Sequence, residues 1–189
     1  MSRIISGLAG SIRLAGAASG TRPTSDRVKE SLFASLDAQG AIDGADVLDL
    51  FAGTGALGLE SLSRGAKSLV AVESSRPALN VCLKNAASVG SALSAAGSRP
   101  PIEIKLSDAI AYLASTTKEF DLVFADPPYD LDLTPKLLSH VRAVLRSGGL
   151  FVLEVSGKTS TAEASEGLEL VSEKSYGDTK VLIFRASVQ

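Results

Sequence analysis

A short strand that runs into a glycine loop restricts this chain more than any other feature. Val47-Leu48-Asp49-Leu50-Phe51 is a buried-looking apolar run with one carboxylate. It passes through Ala52 into Gly53-Thr54-Gly55-Ala56-Leu57-Gly58. The glycines follow G-x-G-x-x-G, and the pattern predicts a strand, a tight turn and a helix to about Ser63. Such a turn allows close backbone approach, and the helix N-terminus then faces the ligand. Units of this kind build open, mostly parallel sheets that bind ligands at the C-terminal ends of their strands.

The rest of the chain repeats the alternation. Arg3–Ser6 and Ser11–Leu14 flank Gly7-Leu8-Ala9-Gly10 and read as a small hairpin. Gly16–Gly20 is a connector. Thr24 is placed to cap a helix on which Val28, Leu32, Phe33 and Leu36 share one face. Further strands are expected at Ser68–Glu73, Ile102–Leu106, Phe120–Ala125 and Gly149–Val155. Helices are expected at about Arg76–Ser88, Asp108–Ser115 and Thr134–Leu145. Ser88–Pro101, rich in Ser, Ala and Gly, reads as a loop. Leu168–Ser175 and Lys180–Phe184 flank Tyr176-Gly177-Asp178-Thr179 as an antiparallel hairpin. The expected fold is therefore α/β, a seven-stranded, mostly parallel, doubly wound sheet with an antiparallel C-terminal hairpin. The division is a basic N-terminal arm over 1–23 and one Rossmann-like domain over 24–189.

Four strands end in acids: Asp49, Glu73, Asp108 and Asp126. A carboxylate at Asp49, below the glycine loop, would repel a pyrophosphate and favour a cation. S-adenosylmethionine is such a ligand, with a sulfonium, an ammonium and no phosphate. Glu73 can accept both hydroxyls of a ribose, in that cofactor or in NAD. Asp108 suits an adenine amine, with the backbone of Ala109 beside it, and equally suits a helix cap.

Asp126-Pro127-Pro128-Tyr129 stops its strand at once, because neither proline donates to a ladder. The Asp126 carboxylate and the Pro127 carbonyl can accept both N–H bonds of an exocyclic nucleobase amine. That would localise its lone pair and aim it at an electrophile. Tyr129 can stack on a base taken out of its strand. Asp-Pro and Pro-Pro are also ordinary turn formers, so the tetrapeptide alone fits a surface turn as well.

Composition narrows the classes. One cysteine, Cys82, supplies neither a disulfide framework nor a thiolate metal site, and one histidine, His140, excludes multi-histidine sites. No metal is expected. Cys82, mid-helix with no preceding proline, reads as a structural thiol. No apolar run is long enough for a membrane span or a signal peptide, which makes a cytoplasmic protein the expectation. Net charge is −2 over 189 residues. Through Lys29 the cations are Arg3, Arg13, Arg22, Arg27 and Lys29 against Asp26 alone, so that segment carries +4 and the remainder −6. A basic arm on an acidic body can hold phosphates locally, or form a solvated charged face.

These residues carry a resemblance. Asp49-Leu50-Phe51-Ala52-Gly53-Thr54-Gly55 is similar to the first motif of Rossmann-like S-adenosylmethionine-dependent methyltransferases. Asp126-Pro127-Pro128-Tyr129 is similar to the amino-methyltransferase motif. More narrowly, the chain resembles the RsmD-type bacterial family that methylates guanine N2 in 16S ribosomal RNA. The specific matches are Arg3-Ile4-Ile5, Arg22-Pro23-Thr24, Asp26-Arg27-Val28, Ala56-Leu57-Gly58-Leu59-Glu60 and Tyr176-Gly177-Asp178-Thr179.

The resemblance implies cofactor contacts from Asp49, Phe51, Ala52, Gly53, Thr54, Gly55, Glu73, Asp108, Ala109 and Asp126. Thr24 and Arg27 would lie near the cofactor carboxylate as the N-terminal segment closes over it. Asp126, Pro127, Pro128 and Tyr129 would form the catalytic motif, with S-adenosylhomocysteine as product. Arg3, Arg13, Arg22 and Tyr129 would meet RNA, at a guanine in a hairpin loop of the subunit head. The expected partner is a monomer's small-subunit rRNA, held within an assembled or nearly assembled subunit, since an acidic body favours weak contact with naked RNA. The start of the arm departs from the family in carrying fewer basic residues. The rival readings are an adenine-N6 methyltransferase on DNA or RNA, an NAD-dependent oxidoreductase, and a non-catalytic binding module.

Overall fold

The computed structural model describes residues 2–16, 26–128, 133–159 and 165–188. In chain order the elements are α1 (Asp26–Ala38), β1 (Asp46–Leu50), α2 (Ala56–Ser63), β2 (Ser68–Glu73) and α3 (Arg76–Ala95). Then come β3 (Ile102–Leu106), α4 (Ala109–Ser115), β4 (Phe120–Ala125) and α5 (Thr134–Val141). A 3-10 turn (Arg142–Val144) leads into β5 (Leu145–Ser156), β6 (Leu168–Tyr176) and β7 (Thr179–Ala186). The sheet runs β3-β2-β1-β4-β5-β7-β6, parallel as far as β5 and antiparallel at β7 and β6. The predicted seven-stranded mixed sheet is therefore present.

Each face of the sheet is covered because its strands are apolar on both sides. One core joins Leu32, Phe33 and Leu36 of α1 and Leu59 of α2 with Cys82 and Val89 of α3, against Val47, Ala71, Phe124 and Ile183. The other packs Leu113 of α4 and Leu137 and Val141 of α5 on Leu48, Val123, Phe151 and Phe184. Strand order reverses between β1 and β4, and the crevice at such a point is the usual ligand site in open sheets.

The structure corrects several boundaries. The stretch expected to be a loop from Ser88 is helix to Ala95. Leu79, Cys82, Ala86, Val89 and Leu93 are all buried at three- and four-residue spacing, and this stripe outweighs the Ser and Gly content. Gly97, at φ +82°, lies just past the helix end. The helix expected over Thr134–Leu145 stops at Val141, and β5 begins at Leu145 rather than Gly149. Phe120 pairs with Leu145 but Leu122 with Leu150, so β5 bulges between these pairs. Asp108 stands outside α4 as its cap, not as its first residue.

The N-terminal hairpin is a single antiparallel bridge, Arg3 to Arg13, rather than two strands. The Ile4 N–H donates to the Ile12 carbonyl, the Ser11 N–H to Ile4 and the Leu14 N–H to Ser2. Ile4, Ala9 and Leu14 are buried in the first of the two cores. Lys29 does not belong to the solvated basic face. It is 0% exposed, donates to the Ser2 hydroxyl and the Arg3 carbonyl, and lies 3.5 Å from Asp26. Burial draws its pKa down against the pull of Asp26 and Glu60. The cap expected at Thr24 lies outside the described residues.

Candidate active site

Strand register assembles the site. Leu50 pairs with Val72 on one side and with Ala125 on the other. The next residues along, Phe51, Glu73 and Asp126, therefore stand side by side at one rim. Glu73 in turn pairs with Leu106, and its carbonyl accepts from the Ser107 N–H at 3.1 Å, which brings Asp108 to the same rim. Glu73, Asp108 and Asp126 thus share the C-terminal rim, while Asp49, paired with Ala71 and Phe124, lies two residues deeper in the sheet.

The chain leaves β1 through a left-handed turn. Phe51 sits at φ +58°, a strained conformation for a bulky residue, and Gly53 and Gly55 follow at +55° and +78°. The Ala52 N–H donates to the Val72 carbonyl and the Gly55 N–H to Ala52, so the turn is tied to β2 and to itself. A Cβ on Gly53 would meet nothing nearer than the Phe51 carbonyl at 3.8 Å. The loop is thus open on the side a ligand would use. A Cβ on Gly55 would lie 2.9 Å from the Cys82 sulfur, which fills the space behind the loop.

The acids have different surroundings. Asp49 is 2% exposed and accepts from the Gly58 N–H at 2.9 Å, so it braces the start of α2 from beneath. Burial pushes its pKa up to about 7; the charge of Glu73 adds to the shift and the Gly58 bond opposes it. Burial, with the charges of Asp49 and Glu73, likewise pushes the Cys82 thiol up to about 12, which leaves it inert. Glu73 accepts from the Gly53 N–H at 2.8 Å and from the Ser75 N–H at 2.7 Å. It holds the glycine loop to the start of α3. Asp108 is exposed and accepts from the Ala111 N–H at 2.9 Å, the cap geometry, while Ala109 behind it is buried. Asp126 is half-buried, Pro127 buried and Pro128 exposed.

Arg3, Arg13 and Arg27 are exposed; the bridge sets Arg3 across from Arg13, and Arg3 lies 3.6 Å from Asp26. Thr24, Arg22 and Tyr129 lie outside the described residues. His140 is on α5, where its Nδ1 meets the Lys136 carbonyl. Among the described residues no group of acidic, His or Cys side chains could hold a metal ion, and no helix is long and apolar enough to cross a membrane.

Sequence reasoning gave no role to Glu60 and passed over Asn85, two buried polar side chains behind the site. Glu60 accepts from the Ile5 and Ser6 N–H groups and from Arg64. Asn85 reaches both the arm and the glycine loop. For Asn85 the available signal was a polar residue beside the apolar stripe of Cys82, Ala86 and Val89; Glu60 offered none.

The donor set suits S-adenosylmethionine. Carboxylates at Asp49, Glu73 and Asp126 surround the loop, and none of residues 49–55 is basic, so a cation is favoured over a phosphate.

A family model described as "Conserved hypothetical protein 95" matches residues 2–185. The ribosomal RNA small subunit methyltransferase D of Haemophilus influenzae is 33% identical over 162 residues, spanning 84% of this chain and 79% of that protein. Its Escherichia coli K12 counterpart is 42% identical over 110 residues, 58% of this chain and 50% of that one. Among solved structures, yhhF of Escherichia coli superposes with TM-score 0.81 at 29% identity, covering 100% of this chain and 99% of that chain. The 16S rRNA N2 G1207 methyltransferase (RsmC) of Thermus thermophilus, in complex with AdoMet and guanosine, aligns at TM-score 0.65 and 26% identity. It covers 91% of this chain and 44% of that chain. The fold is that of class I methyltransferases.

Proposed function

From the premise that this chain belongs to the family of conserved hypothetical protein 95, whose model spans residues 2–185, we propose that it transfers a methyl group from S-adenosylmethionine to guanine N2 in small-subunit ribosomal RNA. The observation that carries the reading is register. Pairing of Leu50 with Ala125 sets the Asp126 motif beside the glycine loop, across the point where strand order reverses. The names of the relatives support rRNA as substrate, and the guanosine-bound neighbour supports N2 as the target atom.

The residues then divide the work. Loop residues 51–55 and Asp49 hold the methionine end of the cofactor, with Thr24 and Arg27 at its carboxylate. Glu73 takes the ribose hydroxyls, and Asp108 and Ala109 take the adenine edge. The bound cofactor supplies an electrophilic methyl group. Asp126 and the Pro127 carbonyl accept the two N–H bonds of the guanine amine, turning its lone pair along the line of transfer; Pro128 stiffens the turn. Tyr129 stacks on the base after it leaves its stack in the RNA. Arg3, Arg13 and Arg22 meet phosphates. The rate gain is orientation, and no strong base is required because an amine that has gained a substituent loses its proton readily. The enzyme acts as a monomer, in the cytoplasm, on assembled or nearly assembled subunits.

The test is transfer of labelled methyl to small subunits from cells lacking this gene, beside naked small-subunit RNA and DNA. N2-methylguanine in the RNA is expected, with subunits the better substrate. Label appearing as N6-methyladenine, or only in DNA, overturns the substrate; equal labelling of free RNA and subunits overturns the assembly requirement.

A further inference from the structure

Besides the Lys29 contacts to Ser2 and Arg3, residues 2–16 are fastened to the domain by three buried side chains of α2 and α3. Glu60, fully buried, accepts from the Ile5 N–H at 2.6 Å and the Ser6 N–H at 3.1 Å. The Ser63 hydroxyl accepts from the Ala9 N–H and donates to the Ser6 carbonyl. The third fastening is Asn85 on α3, which is 3% exposed. Its Oδ1 accepts from the Ala15 N–H at 2.8 Å. Its Nδ2 donates to the Ala15 carbonyl at 3.1 Å and to the Thr54 carbonyl at 2.9 Å. One N–H and two carbonyls fix which end of the amide is which.

We propose that Asn85 is a positioning residue that couples docking of the N-terminal arm to the shape of the cofactor loop, so that each event strengthens the other. The inference rests on the reading that loop 51–55 holds S-adenosylmethionine. A single buried amide serves both partners. If the arm lifts, Oδ1 and one Nδ2 hydrogen lose their partners on Ala15 together, and any turn of the amide toward other partners takes Nδ2 away from Thr54. Fixing Thr54 with a ligand conversely fixes the amide for Ala15. Coupling of this kind is reciprocal: what cofactor does for the arm, the arm does for cofactor by the same factor. The arm carries Arg3 and Arg13, and beyond Gly16 it leads to Arg22 and Thr24. Cofactor binding would therefore ready the RNA-facing segment before RNA arrives.

The test uses the full chain, with S-adenosylmethionine affinity measured by calorimetry and arm docking by the rate of trypsin cleavage after Arg13. In the wild type, saturating cofactor slows that cleavage by about tenfold, a typical coupling strength. Glu60→Gln, which loosens the arm at Ile5 and Ser6 and touches neither Ala15 nor Thr54, weakens cofactor binding by a similar factor. In Asn85→Leu the cofactor no longer protects Arg13, and adding Glu60→Gln causes no further loss of affinity. Asn85→Asp keeps the acceptor for Ala15 and loses both donors; it uncouples in the same way and replaces the leucine variant should that fail to fold. Wild-type-like protection of Arg13 in a folded Asn85 variant overturns the proposal. So does unchanged cofactor affinity in Glu60→Gln with a loosened arm. Failure of the wild type to bind S-adenosylmethionine overturns the functional reading itself, and is distinguished by that first titration.

Discussion

The Asp49 carboxylate sits 2.9 Å from the Gly58 nitrogen, at a position where any side chain would crowd both Asp49 and Leu69. A Cβ there would stand 2.5 Å from Leu69 Cδ1 and 3.1 Å from Asp49 Oδ2. Strand β1 and helix α2 are thus held at contact distance by an acid that also underlies the candidate cofactor loop.

Gly58→Ala tests that contact. Leu69 is buried, so its side chain has to turn within a packed core or α2 has to move outward. A loss of about 1–3 kcal/mol is expected, the usual cost of overpacking. Urea denaturation reads it, and calorimetry should show weaker S-adenosylmethionine binding in the same variant. Wild-type stability would mean that the helix rests on β1 less tightly than the distances indicate.

Asp49 should also make stability depend on pH. Burial raises its folded pKa to about 7, above the unfolded value of about 3.9. The folded state then binds the extra proton between those limits, so the stabilisation is complete below the lower value and disappears as pH rises through the upper one. Asp49→Asn keeps a neutral acceptor for Gly58. The melting temperature of this variant relative to wild type should climb between about pH 4 and about pH 8. Parallel curves would place the titration elsewhere.

Glu73→Ala removes the acceptor for both the Gly53 and Ser75 N–H groups. Affinity for S-adenosylmethionine should fall by about tenfold or more, since an unpaired donor costs about 1–3 kcal/mol and the Gly53 N–H lies in the loop that must bind. Unchanged affinity by calorimetry would remove Glu73 from the site.

Asp126→Ala should separate binding from chemistry. Cofactor affinity should stay near wild type, while transfer to small subunits drops by about 100-fold or more through lost orientation of the amine. Near-normal turnover would refute the amine clamp.

The sheet was readable because strand ends carried sharp signals: glycines after Phe51, prolines after Asp126, a Gly-Asp turn after Tyr176. The C-terminal half of α3 was not, because Ser88, Gly90, Ser91 and Ser94 resemble a linker in composition. Only the buried stripe through Val89 and Leu93 reveals the helix. In the site, the positions of the acids were legible and their environments were not. Asp49 and Asp108 look alike in sequence, yet one is buried beneath the loop and the other caps an exposed helix turn. That difference is made by α2 closing over β1, a contact between distant residues. Lys29 looks like one more cation of a basic segment, and what buries it is contact with Ser2 and Arg3, distant in sequence.

The place of β7 has a consequence for biosynthesis. Though final in chain order, it lies inside the sheet, between β5 and β6, with Leu182 and Phe184 fully buried. Until residues 179–186 have left the ribosome, β5 presents an unpaired edge and β6 has no ladder partner within the sheet. A nascent chain halted just short of them would carry the glycine loop and the Asp126 motif and still expose a long sticky strand. Premature termination there should yield an aggregating product rather than a weakened enzyme.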